Sequence, residues 1–333
     1  MRRASSRLAI LLAALAATAA LAAPAAQADK DFSKYAVESA SASLSSTQAG
    51  AHADFTMSFR LSSTEDAPPK PYAFSRDLSF HLPPGLIGNP QKLPRCTLAQ
   101  FGAGSGDTQC PQDSQVGITE VQLAGGINST LIEPVYNMES PGGDIVARFG
   151  FFAGFYPAIA NVRVDPADYS LIVSVEGAPA AAEVIAAKTT IWGVPAADSH
   201  DALRLTPQEA LAFKLPSPPR PSGQPEIPFL SNPTDCSLER RLTVTAVSYQ
   251  LPDRSSSKTV PFPQIGGCGK LAFNPKLTVR PTNPEAFAPT GLDATLAIPQ
   301  DETPNGLATS TTKSAVVALP EGMSINPAAG AGL

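Results

Sequence analysis

The stretch FTMSFRL at residues 55–61 alternates in steps of two. Phe55, Met57, Phe59 and Leu61 fall on one face, and Thr56, Ser58 and Arg60 on the other. A period of two with one apolar face describes a strand with one buried side. LSFHL at 78–82 does the same with Leu78, Phe80 and Leu82, then runs into Pro83-Pro84-Gly85. Proline has no N–H to donate to a ladder, so the strand ends there. Punctuation of this kind runs through the chain, whose 333 residues include 34 Pro and 24 Gly. That density breaks long helices and suits short strands joined by turns. The apolar fraction of 43% is too high for a chain disordered throughout. The expected fold class is all-β, a β-sandwich with little helix.

The same phrase returns near the other end: LPPGLIGNP at 82–90 and LPEGMSINP at 319–327. The residues ahead of it match as well. Gly291 to Ile298 lie over Gly50 to Met57, with Ala51, Ala53, Phe55 and Met57 in phase with Leu292, Ala294, Leu296 and Ile298. This reads as a repeated module of about forty residues, strand, loop, strand and Leu-Pro-x-Gly turn. In the first copy the turn leads to Cys96 and Cys110; after the second, the strands and cysteines that would close another sandwich are absent before residue 333. The expectation is an N-terminal fragment of a longer protein.

Further strands are expected at 145–152, 169–175, 188–194, 242–250 and 271–279. Thr206-Pro207-Gln208-Glu209 fits a capping box with proline at the first helical position, predicting a helix over 207–214. Thr97 to Gln100 can start another short turn. Residues 215–228 hold six prolines and read as an extended, exposed loop or linker. The domain reading is a β-sandwich over 29–215, a Pro-rich loop or linker at 216–228, a smaller β domain or continuation of the first over 229–280, and an incomplete β-sandwich repeat over 281–333.

Residues 1–28 have the form of a secretory signal. Arg2, Arg3 and Arg7 precede an uncharged apolar run of about fifteen residues, and Ala26-Gln27-Ala28 is a small-x-small cleavage site. The run is short for a bilayer span of about 20 residues, so no transmembrane segment is expected in the mature chain. Removing three arginines from the 24 basic residues leaves 21 against 29 acidic, a net charge of −8. With no basic cluster, this argues against nucleic-acid binding. Cys96, Cys110, Cys236 and Cys268 all follow the signal and meet a non-reducing space. Of three pairings, Cys96–Cys110 with Cys236–Cys268 is favoured because each closes a short local loop. Zinc needs closer ligand pairs than these.

No catalytic motif emerges. His52 and His81 fall on outward strand faces and read as exposed; DSHD at 198–201 reads as a polar turn, since triad members converge from separate elements. Asp198 with Asp201, or Asp165 with Asp168, could offer oxygens to calcium, but the EF-hand spacing is missing. No catalytic residue, cofactor or metal is expected. Phe149 and Phe151 read as core, as does Trp192, whereas Phe155 and Tyr156, in a Gly/Pro turn, are the candidate ligand contacts.

LPPGLIGNP with Cys96 following, CPQDSQVG at 110–117 and TIWGVPAADSHD at 190–201 together resemble a family of large, secreted, uncharacterised repeat proteins of high-GC soil bacteria. The strand-then-LPxGL module is similar to Ig-like repeats of bacterial surface proteins. The resemblance implies Ig-like β-sandwich modules and an extracellular location, and it carries no catalytic residues. The expected function is a non-enzymatic, secreted or cell-surface structural or interaction protein, touching a cell-wall polymer, glycan or surface protein. The alternative is a carbohydrate-binding protein or the accessory module of a larger hydrolase.

Overall fold

The computed structural model describes residues 31–103, 108–124, 130–212, 215–216, 218–286, 288–319 and 321–324. Residues 1–28, which the sequence reading takes as a secretory signal, lie outside the described residues. In chain order the strands are β1 (Val37–Leu44), β2 (Phe55–Leu61), β3 (Ser75–His81), β4 (Ile87–Gly88), β5 (Gln115–Leu123), β6 (Thr130–Met138), β7 (Ile145–Ala153) and β8 (Tyr156–Val164). There follow β9 (Leu171–Val175), β10 (Val184–Ile191), β11 (Leu230–Ser231), β12 (Arg241–Ser248), β13 (Ser255–Pro261), β14 (Lys276–Pro281) and β15 (Leu292–Ala297). The protein is all-β, as its punctuation requires.

Eleven of these strands form one antiparallel sheet in the order β1-β2-β10-β5-β6-β7-β8-β9-β3-β12-β13. Its two end strands approach each other: the Val37 N–H on β1 donates to Ser256 Oγ on β13 at 3.0 Å. The sheet is therefore coiled on itself, and its inner face surrounds one core. Register shifts in β1, β5, β7 and β10 supply local bends of the kind that let a sheet curve. Strands β12 and β13, from the stretch after the Pro-rich segment, pair onto β3 and so extend this same sheet. The inner face is strongly aromatic, with Phe59 against Phe80 at 5.6 Å and Phe55 against Phe262 at 5.7 Å between ring centroids.

The two copies of the repeated phrase share a turn but differ in their strands. Gly85 and Gly322 both adopt φ of 90°, a conformation open to glycine and costly for other residues. In the first copy, β2 and β3 lie within the large sheet. In the second, β15 pairs with β14 as a separate hairpin whose residues are all exposed, and 298–319 contain no strand.

Helix is short. Helix α1 (Leu98–Phe101) carries a capping box between Thr97 and Gln100, and α2 (Pro207–Leu211) carries one between Thr206 and Glu209 with proline in its first turn. Helix α2 ends at Leu211 with Ala212 as its C-cap, shorter than the expected 207–214; residues 213 and 214 lie outside the described residues. Both expected disulfides are present, Cys96–Cys110 and Cys236–Cys268. The first sits over the outer face of the sheet, where Phe101, Tyr136, Met138 and Phe152 pack with it.

Candidate functional site: an apolar cavity inside the sheet

The side chains of the inner face leave a cavity of about 430 Å³. Its origin is legible residue by residue. Strand β8 turns Ala158, Ala160 and Val162 inward, and β7 contributes Ala147 and Ala153. Opposite them stand Phe55, Phe59 and Phe80, whose rings do not reach across the space that the alanines leave. The wall is almost wholly hydrocarbon. Its polar side chains are Thr119, Thr189 and two tyrosines, and no charged side chain lines it among the described residues. Thr119 and Thr189 share a hydrogen bond of 2.9 Å across β5 and β10, so their hydroxyls are already partnered.

One end of the cavity is ringed by exposed apolar side chains: Ile87 at 53%, Val146 at 42%, Val164 at 40% and Tyr169 at 78% of full exposure. These come from β4, the start of β7, the end of β8 and the β8–β9 turn, which the register brings to the same end. Tyr169 is held at φ 60°, an uncommon position for a bulky residue, with its N–H donating to the Asp165 carbonyl at 2.8 Å. Exposed apolar rims of this kind mark entrances and contact sites.

The far end is closed by Ala153, Tyr156 and Ala182. Beside it lies Glu133. On β6, Val135 lines the cavity while Tyr136 and Met138 pack on the outer face, so Glu133 shares the inward face with Val135. It stands directly opposite Thr119, which stands opposite Thr189. Glu133 is only 4% exposed, and burial pushes its carboxyl up to about 8. A carboxyl withdrawn from water with no cation beside it keeps its proton.

The sequence-predicted contacts are split by this arrangement. Tyr156 joins the cavity wall, whereas Phe155, one residue earlier, is 69% exposed at the tip of the β7–β8 hairpin. Phe149 and Phe151, read as core, line the cavity. The histidines are less exposed than expected. His52 Nδ1 lies 2.9 Å from the Leu230 carbonyl, and His81 Nε2 lies 2.6 Å from Ser170 Oγ. Asp165 and Asp168 do gather with His81, all three ligand atoms within 4.8 Å of one another. Ser170 occupies the middle of that group, its hydroxyl on His81 and its N–H on Asp168 Oδ1 at 2.9 Å. Asp201 instead pairs with Arg204 at 3.1 Å. Sequence reasoning missed Glu133 because its strand, TLIEPVYNM, shows no clean alternation to mark an inward carboxylate.

The WGVP and DSHD stretches form a second compact unit. Trp192 is 1% exposed, His200 stacks on it, and the Arg204 guanidinium lies 5.6 Å from the Trp192 ring centroid. Arg204 is also bound to the carbonyls of Pro195 and Ala197 at 2.7 and 2.9 Å, so its donors are committed to holding this loop.

No protein family, curated protein or solved structure matches the chain.

Proposed function

We propose that this is an exported, non-enzymatic protein that binds an apolar ligand inside its coiled sheet. The observation that carries this reading is the 430 Å³ cavity with a hydrocarbon wall and an exposed apolar rim. Native interiors contain few voids larger than a water molecule. A cavity lined by carbon disfavours water and accepts apolar guests, and small-molecule sites of about 300–1,000 Å³ are lined mainly by apolar and aromatic groups. Export is supported by the two disulfides, which persist in oxidising compartments, and by the signal-like N-terminus. No helix among the described residues is long and apolar enough to cross a membrane.

A sugar would require several polar groups converging on its hydroxyls, and this wall offers few. The Ig-like, repeat-built surface protein remains compatible with the cavity as its binding module; the shared glycine turn of the two LPxG phrases supports that part of the reading.

The test is titration of the mature chain with diphenylhexatriene, a hydrocarbon fluorophore that brightens in apolar surroundings. Saturable binding is expected, and Ala160→Phe, which fills the cavity from β8, should abolish it. Overpacking can disturb a fold, so circular dichroism and melting accompany the titration, with Ala158→Leu as a milder filling. A folded filled variant that still binds the probe would overturn the proposal.

A further inference from the structure

Phe80 and Leu82 line the cavity, so the alternation of β3 turns His81 to the outer face of the sheet. There it meets two aspartates. His81 Nε2 and one carboxylate oxygen each from Asp165 and Asp168 lie within 4.8 Å of one another. His81 closes β3, and the aspartates belong to the turn between β8 and β9. The register brings the two segments together: β9 sets Ile172 opposite His81 on one side and Leu171 opposite Val164 on the other. In the sequence only the aspartates stand close, and the fold adds a nitrogen donor to their oxygens.

The charge of this group is uncompensated. Elsewhere on the surface, carboxylates meet permanent cations: Asp144 and Glu176 meet Arg163, Glu120 meets Lys188, and Glu209 meets Arg220. Among the described residues neither Asp165 nor Asp168 has a lysine or arginine within salt-bridge distance. The basic group in the cluster is His81, and an imidazole is not a permanent cation. Two carboxylates gathered at ligand spacing disfavour each other's charge, and a divalent ion between them reverses the sign of that interaction. Backbone N–H groups fix their directions, Ala167 donating to Asp165 Oδ1 and Ser170 to Asp168 Oδ1, both at 2.9 Å.

The donor set and its spacing select the ion. Calcium and magnesium sites are built from oxygens, whereas imidazole suits zinc and other transition metals. Zinc bonds to nitrogen and oxygen of about 2.0–2.2 Å set neighbouring tetrahedral ligand atoms about 3.4 Å apart. His81 Nε2 and Asp165 Oδ2 are 3.5 Å apart. We propose that His81, Asp165 and Asp168 form a divalent transition-metal site of the zinc class, with three protein ligands and the remaining position open to water. The His81 side chain is 43% exposed, which leaves that position accessible. A metal on Nε2 replaces its 2.6 Å hydrogen bond to Ser170, whose hydroxyl becomes a further oxygen donor at the site. Bound metal ties the end of β3 to the turn that carries Tyr169, a rim residue of the cavity. The site stands whether or not the cavity takes a ligand.

The experiment titrates the tag-free mature chain with zinc chloride and, separately, calcium chloride by isothermal calorimetry. One saturable zinc site per chain is expected, with calcium bound more weakly. His81→Ala removes the nitrogen donor and should weaken zinc by at least about tenfold, the lower end of what even outer-shell losses cost at metal sites. Asp168→Asn alters an exposed side chain and should weaken zinc to a similar degree. Zinc should also raise the wild-type melting temperature progressively with its concentration, as any ligand of the folded state does, and leave that of Asp168→Asn nearly unmoved. Circular dichroism establishes that the variants are folded; if His81→Ala is not, Asp168→Asn decides. Wild-type zinc affinity in a folded variant, calcium bound as tightly as zinc, or no saturable zinc uptake would overturn the proposal.

Discussion

His200 lies flat on Trp192, ring centroids 4.5 Å apart and planes within 8° of parallel, while its Nε2 donates to Asp54 Oδ2 at 3.1 Å. One interaction fixes the plane of the imidazole and the other its direction, so the loop after β10 is tied to the segment entering β2. Burial would raise the Asp54 pKa, but the His200 hydrogen bond and the Gly193 N–H at 2.8 Å outweigh it and hold the carboxyl below its ordinary value of 3.8. A carboxyl depressed in the folded state contributes stability above its unfolded pKa and loses it as pH falls through the folded one. His200→Ala should therefore cost about 1–3 kcal/mol at pH 7 by leaving a half-buried carboxylate short of a donor. Asp54→Asn should flatten the acid limb below the unfolded pKa. Urea unfolding across pH measures both; an unchanged acid limb in Asp54→Asn would count against this account.

Gly193 is fixed by close approach rather than by turn conformation. A Cβ built there would stand 2.1 Å from the His52 carbonyl oxygen, a backbone atom that cannot rotate away. Its own carbonyl accepts from the N–H groups of Phe229 and Leu230 at 2.7 and 3.1 Å, so displacement would disturb both neighbours. Gly193→Ala is expected to destabilise by at least about 2 kcal/mol, in the range of overpacked cores, whereas Gly142→Ala, with open space around it, should lose only what its φ of 84° costs. Thermal melts of the pair decide whether the glycine of WGVP serves packing.

Glu133 makes a separate prediction about stability that needs no ligand. Its carboxyl stays protonated in the folded chain up to about 8, while an unfolded glutamate ionises near 4.5. Between those values the folded state binds more protons than the unfolded one, so stability falls as pH rises, by about 1.4 kcal/mol per unit. It levels off above the folded pKa. Glu133→Gln should remove this slope, and the difference between the two proteins should widen steadily from pH 5 to pH 8. Parallel stability curves would show that the carboxyl is solvated.

The strands that could be read in the sequence are those with bulky residues on one face and polar ones on the other. Phe55–Leu61 alternates in this way and was located to the residue. Strand β1, VESASASL, alternates alanine with serine, and its small residues give too little contrast to register as a buried face. Strand β6 carries Pro134 and is buried on both sides, by the cavity on one and the Cys96–Cys110 region on the other, so its pattern is continuous. Such runs do not reveal a period. The coiling of the sheet was illegible for a different reason: it depends on the meeting of Val37 and Ser256, 219 residues apart. The cavity followed from that closure. Alanines at 147, 158 and 160 read as ordinary strand residues until the opposing strands fix how much space they leave.

The two disulfides should differ in consequence. Cys96–Cys110 closes 14 residues and Cys236–Cys268 closes 32. Loop entropy alone assigns about 3 kcal/mol to the shorter and somewhat more to the longer. The shorter one, however, also packs with Phe101, Tyr136 and Met138, and Cys96 is fully buried. Paired serine substitutions should therefore destabilise more at 96/110 than at 236/268, against the order of loop lengths. Non-reducing peptide mapping checks the pairing itself, and a peptide joining Cys96 to Cys236 would refute it.

Arg220 anchors the Pro-rich segment. Its guanidinium meets both oxygens of Glu209 at 2.9 Å and donates to the Arg204 carbonyl at 2.7 Å, and its backbone N–H donates to the Asp201 carbonyl at 3.0 Å. The fork geometry of arginine suits this bidentate contact, and lysine would not reproduce it. Glu209, already bonded by the Thr206 N–H and hydroxyl of the capping box, is held at about 2, chiefly by Arg220. One residue thus joins a segment of six prolines to the start of α2 and to the loop that carries His200. Arg220→Ala should release residues 215–228 to subtilisin at least several-fold faster, with the melting temperature of the sheet nearly unchanged, because exposed loops open locally without global unfolding. Arg220→Lys should fall close to Ala. If cleavage of that segment is equally fast in the wild type, the anchor does not restrain it in solution.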